Sequence, residues 1–144
     1  MSFRPKSSEE VAELVRESSR ILAKGGNTKP TLTDVADVKI LELCGLAGIT
    51  EYDSSEYVFT AKAGTPVLEV QKALCKEGQY LPFDPPFAEE GSTLGGMVAA
   101  GLNGPGRLRF GGIRDFLIGV TFVDGRGSVV RSGGKVVKNA AGFD

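Results

Sequence analysis

The chain has 144 residues, of which 41% are hydrophobic and 24% charged, and its 17 basic and 18 acidic residues nearly cancel. This length suits one domain with a core of its own, and the balanced charge argues against nucleic acid or an anionic membrane as a partner. Histidine is absent, which excludes a Ser-His-Asp triad and a histidine zinc site or general base.

The cysteines indicate no metal site, and the hydropathy of the chain indicates no transmembrane helix. Cys44 and Cys75 lack metal-ligand spacing, so we expect two buried, reduced thiols, no metal, and a cytoplasmic protein. No apolar run reaches the roughly 18 residues of a transmembrane helix, so no membrane span is predicted. No side chain stands out as catalytic.

The first predicted element is a helix. Ser7 and Glu10 have capping-box spacing, and an apolar stripe extends the helix to Gly25 and Gly26, where it should end. The stripe consists of Val11, Leu14, Val15, Ile21 and Leu22. Strands are predicted at residues 39–43 and, from alternating polarity, at 57–63.

A second helix should follow, with Thr65 as its cap and Pro66 at its first position. Its predicted core face is Val67, Val70, Ala73 and Leu74, and Gly78 should end it. Residues 82–86 should be irregular, residues 118–123 a buried strand, and residues 124–127 a hairpin turn into a strand at 128–131. This order predicts an α+β fold, not a regular βαβ alternation.

The first glycine cluster contains Gly25, Gly26, Asn27 and Thr28, followed by Lys29. Successive backbone N–H groups of small residues can form a concave nest for a phosphate, with the Thr28 hydroxyl and the Lys29 charge beside it. A glycine C-cap followed by a turn explains the same residues, and this cluster alone favours that simpler interpretation.

The second cluster, at residues 91–106, is more specific. A short helix starting near Thr93 should offer unpaired N–H groups to a phosphate. Gly95 and Gly96 should let the main chain approach a cofactor. Ala99, Ala100 and Gly101 should keep that surface flat, which suits a planar ring or a diphosphate. Because the P-loop and Rossmann glycine fingerprints are both missing, the cluster predicts another kind of nucleotide site.

Together these motifs resemble the PCMH-type FAD-binding domain of the vanillyl-alcohol oxidase superfamily, most closely its glycolate-oxidase group. The matching stretches, in colinear order, are Pro5 with SEEV at 8–11, GGNT at 25–28, AGTPVLEVQKAL at 63–74, LPFDPP at 81–86 and the segment 91–144. The resemblance implies two small α/β subdomains, at residues 1–55 and 56–144, with FAD between them. The second subdomain would be incomplete, and a substrate-covering cap would be absent.

The resemblance also implies which residues contact FAD. Residues of both clusters would bind the diphosphate and the flavin, and three later positions would line the cofactor further along. The implied set is Gly25, Gly26, Asn27, Thr28, Ser92, Thr93, Gly95, Gly96, Ala99, Asn103, Gly104 and Gly111.

The basic side chains of the second half are assigned differently. Lys138, in a glycine-rich apolar setting, is the one expected to face the flavin. Arg107, Arg109 and Arg114 could each pair with a phosphate, but the favoured alternative is that Arg114 pairs with Asp115 and the other two are solvated.

The resemblance implies an FAD-binding component of an oxidoreductase that acts on a 2-hydroxy acid such as glycolate. Its expected partners are a flavin catalytic subunit and an iron–sulfur subunit, through which it could lie at the inner membrane. The alternatives are a non-catalytic assembly subunit, or a fragment that keeps the fold without FAD.

Overall fold

A computed structural model describes residues 2–29 and 35–134. Its first part is a parallel three-stranded sheet of β1 (Ser2–Phe3), β2 (Ile21–Lys24) and β3 (Lys39–Glu42), in the order β1-β3-β2. Helix α1 (Ser8–Arg16) connects β1 to β2. The sequence predicted no βαβ unit, and this first part of the chain forms one. The fold as a whole is α+β, as predicted.

The first helix is shorter than predicted. Its N-terminus is capped as expected, since the Ser7 hydroxyl accepts a hydrogen bond from the Glu10 N–H, but it ends at Arg16. Ile21 and Leu22 belong to β2, where they pair with Lys39 and Ile40. The apolar stripe is interrupted by five polar residues at positions 16–20, and serine side chains there can hydrogen-bond the backbone and compete with the helix.

The middle of the chain contains the antiparallel pair β4 (Ile49–Asp53) and β5 (Val58–Ala61), followed by α2 (Val67–Lys76). β4 was not predicted. The predicted subdomain boundary at residues 55/56 falls within the β4–β5 hairpin and stays a prediction.

The predicted cap of α2 is wrong by one residue. Pro66 is the N-cap, and the Thr65 hydroxyl instead donates to the Lys62 carbonyl at 2.7 Å and accepts from the Gly48 N–H at 2.9 Å. The helix buries Val67, Val70 and Leu74 as expected, whereas Ala73, predicted for the same face, is half-buried. Its end is also confirmed, since Gly78 follows with φ +68°.

Helix α3 (Leu94–Ala100) follows the irregular segment around residues 82–86, as predicted, and short helices α4 (Arg107–Phe110) and α5 (Ile113–Phe116) come next. The main core cluster joins α2, the irregular segment, α3 and α5. Its buried members are Val67, Phe83, Met97 and Ile113. Helix α3 is thereby packed against α2, the irregular segment and α5.

The described chain ends in the predicted hairpin of β6 (Gly119–Val123) and β7 (Val129–Gly133). The expectation that its first strand is buried is wrong: Val120 is 36% and Phe122 45% exposed. Helix α1 contacts the hairpin, with the Arg16 guanidinium donating to the Gly127 carbonyl at 2.6 Å. One short helix cannot cover both faces of a two-stranded sheet, so apolar side chains remain on the surface.

The predicted burial of the cysteines is also wrong, since Cys44 and Cys75 are exposed free thiols. Across the described ranges, none of the helices combines the length and the apolar character needed to cross a membrane.

Candidate cofactor-binding site

The two glycine clusters lie in direct backbone contact. A Cβ added at Gly25 would sit 2.2 Å from the Thr93 Oγ1, and one at Gly26 would sit 1.8 Å from the Gly91 carbonyl oxygen. No side chain fits between the segments, so glycine is required at both positions. The sequence could not show this contact, because the segments are more than 60 residues apart.

Where they meet, the segments form a cleft of about 350 Å³. One wall is the end of β2 with the turn that follows it, and the other is α3. The lining residues are Leu22, Ala23, Lys24, Gly25, Gly26, Asn27, Thr28, Lys29, Thr93, Gly96, Ala99 and Ala100. The structure thus brings together seven of the predicted cofactor residues from both clusters: Gly25, Gly26, Asn27, Thr28, Thr93, Gly96 and Ala99.

The turn after β2 presents backbone donors to this cleft. Within residues 2–29 and 35–134, the N–H groups of Gly26, Asn27 and Thr28 donate to no acceptor. Asn27 has a left-handed backbone with φ +53°, a conformation that asparagine tolerates better than most residues. Backbone N–H groups at such a reversal can gather around an anion.

The start of α3 behaves differently from the prediction. The Leu94 N–H donates to the Thr65 carbonyl at 2.9 Å, and the Gly95 N–H donates to the Ala63 carbonyl at 2.7 Å. The Gly96 N–H is capped by the Thr93 Oγ1 at 3.3 Å. The expectation of unpaired N–H groups at this helix start is therefore wrong: the segment before α2 and the cap residue use these donors.

The two adjacent glycines of α3 face different neighbours. A Cβ at Gly95 would lie 2.8 Å from the Ala63 Cβ, so Gly95 allows α3 to pack on the segment before α2. At Gly96 a Cβ would meet only the Thr93 Oγ1, at 3.1 Å, and Gly96 lines the cleft with Ala99 and Ala100. Ala99 and Ala100 thus lie on this surface as predicted, whereas Gly101, also predicted for it, lines a different cleft.

Lys29 lies at the junction of the two segments. Its Nζ donates to the Thr28 Oγ1 at 3.0 Å and to the Ser92 Oγ at 3.1 Å, and it lies 5.3 Å from the centre of the Phe87 ring. Over the described residues, no carboxylate forms an ion pair with it. Burial lowers the pKa of Lys29 from its usual 10.5, because a partly desolvated ammonium without a counter-ion is disfavoured.

Ser92 is only 1% exposed, and it meets the cleft through this hydrogen bond to Lys29. The sequence identified Lys29 as a counter-charge but did not include it among the cofactor contacts. Its position directly after the Gly-Gly-Asn-Thr turn was the signal that could have done so.

The remaining predicted cofactor residues lie elsewhere. Asn103 and Gly111 line a second cleft on the other side of the α3 C-terminus. A Cβ at Gly104 would meet the Asp84 Cβ at 2.6 Å, so Gly104 packs on the irregular segment. Lys138 lies outside the described residues. The predicted Arg114–Asp115 pair is absent from the ion pairs of the described chain.

Among the residues that the structure describes, no three His, Cys, Asp or Glu side chains come together as a metal site.

Comparison with known proteins identifies the family. Residues 1–133 match the family described as "FAD binding domain". The chain is 40% identical over 136 residues to glycolate oxidase subunit GlcE of Escherichia coli, covering 94% of this chain and 39% of that protein. It is 33% identical over 96 residues to subunit GlcD of Bacillus subtilis, covering 67% and 20%.

The fold has solved counterparts. An alkyldihydroxyacetonephosphate synthase superimposes with a TM-score of 0.76 at 23% identity, over 99% of this chain and 27% of that one. The chain belongs to the FAD-binding domain family, and FAD is its cofactor. It spans about two fifths of the length of GlcE and one fifth of that of GlcD.

Proposed function

We propose that this chain is the FAD-binding component of an oxidoreductase that acts on a 2-hydroxy acid such as glycolate, and that the cleft between the two glycine clusters holds the FAD diphosphate. The observation that carries the proposal is the direct contact of the clusters around one cleft. The substrate class rests on similarity to two glycolate oxidase subunits.

The donors of the cleft suit a diphosphate. The N–H groups of Gly26, Asn27 and Thr28 have no acceptor in the described chain, and an anion would satisfy them. Lys29 adds a partly desolvated cation whose ammonium donates to two hydroxyls. A diphosphate would replace the missing counter-ion and strengthen these charge-assisted hydrogen bonds.

The opposite wall suits close approach by a bulky group. Gly96, Ala99 and Ala100 are the residues of α3 that line the cleft, and their small side chains let a sugar phosphate approach the helix backbone. Of the other predicted contacts of the second cluster, Ser92 holds Lys29 and Gly95 lets α3 pack in place, so both act indirectly. Thr93 lines the cleft and also caps α3.

FAD supplies the redox chemistry when bound, by accepting electrons from the substrate. The residues of this chain bind and orient the cofactor. We propose that turnover occurs in an assembly with other oxidase subunits, a flavin catalytic subunit and an iron–sulfur subunit, and that the chain lies in the cytoplasm or at the inner membrane through them. Exposed free thiols agree with a reducing compartment.

The test is FAD titration of the chain, followed by flavin fluorescence and thermal melting. A ligand that binds only the folded state raises the melting temperature, so FAD should stabilise the chain. Gly96→Val should fold and lose FAD binding, because its branched side chain would project into the cleft. Gly125→Val is the matched control, since a Cβ there meets nothing within 4 Å.

Two results would count against the proposal. An unchanged melting curve in saturating FAD would contradict cofactor binding by this chain and favour the assembly-subunit alternative. Normal FAD affinity of a folded Gly96→Val variant would contradict the location of the site.

A further inference from the structure

The second cleft, of about 630 Å³, lies between the C-terminal end of α3 and the segment of α4 and α5. Val98 of α3 and Gly101, the residue that follows this helix, line one side, and Arg107 and Arg114 of the short helices line the other. Asp115 provides the single carboxylate among the lining residues.

This carboxylate is already engaged. The Asp115 Oδ2 accepts the Gly112 N–H at 2.8 Å at the start of α5. Neither guanidinium forms an ion pair with any described residue. The cleft therefore carries two positive groups against one carboxylate that is occupied by a backbone donor, which leaves a net attraction for an anion.

The wall that carries the arginines is well anchored. The Asn103 Oδ1 accepts the Ile113 N–H at 2.8 Å and its Nδ2 donates to the Gly101 carbonyl at 2.9 Å, which ties the end of α3 to α5. Ile113 is 8% exposed and belongs to the core cluster. The backbone that presents Arg114 is thus fixed relative to α3, although both arginine side chains are exposed.

The cleft is close to the cofactor cleft. Neighbouring residues at the end of α3 line the two clefts: Ala99 and Ala100 line the cofactor cleft, and Val98 and Gly101 line this one. Because an α-helix rises about 1.5 Å per residue, the two clefts lie within a few ångströms of each other at the C-terminal end of α3.

From this geometry we infer that Arg107 and Arg114 form a binding site for the carboxylate of the organic acid substrate. The inference rests on the proposed function, which supplies the substrate class. A guanidinium offers paired donors that match the two oxygens of a carboxylate. Asn103 contributes by holding the two sides of the cleft together and is a positioning residue.

The experiment is calorimetric titration of the FAD-loaded chain with glycolate, glycolamide and inorganic phosphate. Glycolate should bind, glycolamide should bind at least tenfold more weakly because it lacks the charge, and phosphate should bind more weakly than glycolate. The double variant Arg107→Gln/Arg114→Gln should lose at least tenfold in glycolate affinity. Arg109→Gln, in the same helix but outside the lining, should stay within twofold of the unmodified chain.

Each contrary result has a distinct meaning. No glycolate binding, equal binding of glycolamide, or an unchanged double variant overturns the carboxylate site. Tighter binding of phosphate than of glycolate, or a tenfold loss of FAD affinity in the double variant, overturns it in favour of a phosphate-binding surface. If the chain takes up no FAD, the proposed function fails. Titration of the FAD-free chain with glycolate then still tests whether Arg107 and Arg114 bind a carboxylate.

Discussion

The two glycine-rich segments are similar in composition and contact each other, yet their backbone N–H groups differ in hydrogen bonding. In the turn after β2, the N–H groups of Gly26, Asn27 and Thr28 have no acceptor in the described chain. At the start of α3, the N–H groups of Leu94 and Gly95 donate to carbonyls of the segment before α2. One segment offers donors to a ligand, and the other offers a smooth surface.

The comparison separates two reasons for a glycine in a cofactor site. Gly26 and Gly95 are required because protein atoms occupy the space where their Cβ would be. Gly96 borders the cleft, so the space beside it is available to a ligand. Substitution of Gly26 or Gly95 should therefore destabilise the fold, and substitution of Gly96 should weaken FAD binding.

Gly26→Ala should have the largest effect of the changes considered. The added Cβ would lie 1.8 Å from the Gly91 carbonyl oxygen, and backbone on both sides must shift. Overpacking of this kind costs about 3 kcal/mol. Urea unfolding measures the loss, with Gly125→Ala as control, since its Cβ would meet open space. Equal stability of the two variants would show that the segments are not in contact.

Ala99→Glu should affect binding instead. Ala99 is exposed on the cleft side of α3, so the fold should tolerate glutamate, while its charge would repel a diphosphate. We expect FAD affinity to fall by roughly 30-fold, about 2 kcal/mol, with little change in melting temperature. Ala47→Glu makes the same charge change at an exposed position outside both clefts. FAD titration compares them, and equal affinities would exclude α3 as a wall of the site.

Much of this arrangement was accessible from the sequence. The capped start of α1, the strands at 39–43 and 57–63, the core face of α2, the short helix after Thr93 and the final hairpin all follow from local patterns. These elements combine spacing of apolar residues with cap or turn residues nearby. The family and its cofactor followed from several colinear motifs.

The errors arose where distant contacts override local patterns. Ile21 and Leu22 continue a helical stripe, but pairing with β3 places them in a strand. Phe122 lies in an apolar run that predicts burial, yet α1 leaves it exposed. The donors of α3 are used by Ala63 and Thr65, which no local signal indicates.

Thr93→Val should have a smaller effect and test the role of α3 as a packed surface. The substitution removes the Oγ1 that caps the Gly96 N–H, and loss of such a cap costs about 1 kcal/mol. Thr93→Ser keeps the hydroxyl and should restore most of the stability in urea unfolding. A valine variant as stable as the serine variant would show that the cap contributes nothing.

The pH dependence of FAD binding should show the smallest effect, through Lys29. Burial lowers its pKa below 10.5, so the folded chain without FAD disfavours the charged form, whereas a diphosphate favours it. FAD affinity should therefore be fully present below the pKa of Lys29 and decline as the pH rises through it, by roughly threefold to tenfold for one charge-assisted contact. FAD affinity is measured at a series of pH values on both sides of the pKa of Lys29. In Lys29→Met, the affinity should change with pH only as far as FAD itself ionises. The control is Lys72→Met, on the exposed side of α2, in which FAD affinity should still decline as the pH rises. If FAD affinity depends on pH in the same way in both variants, Lys29 does not contact the diphosphate.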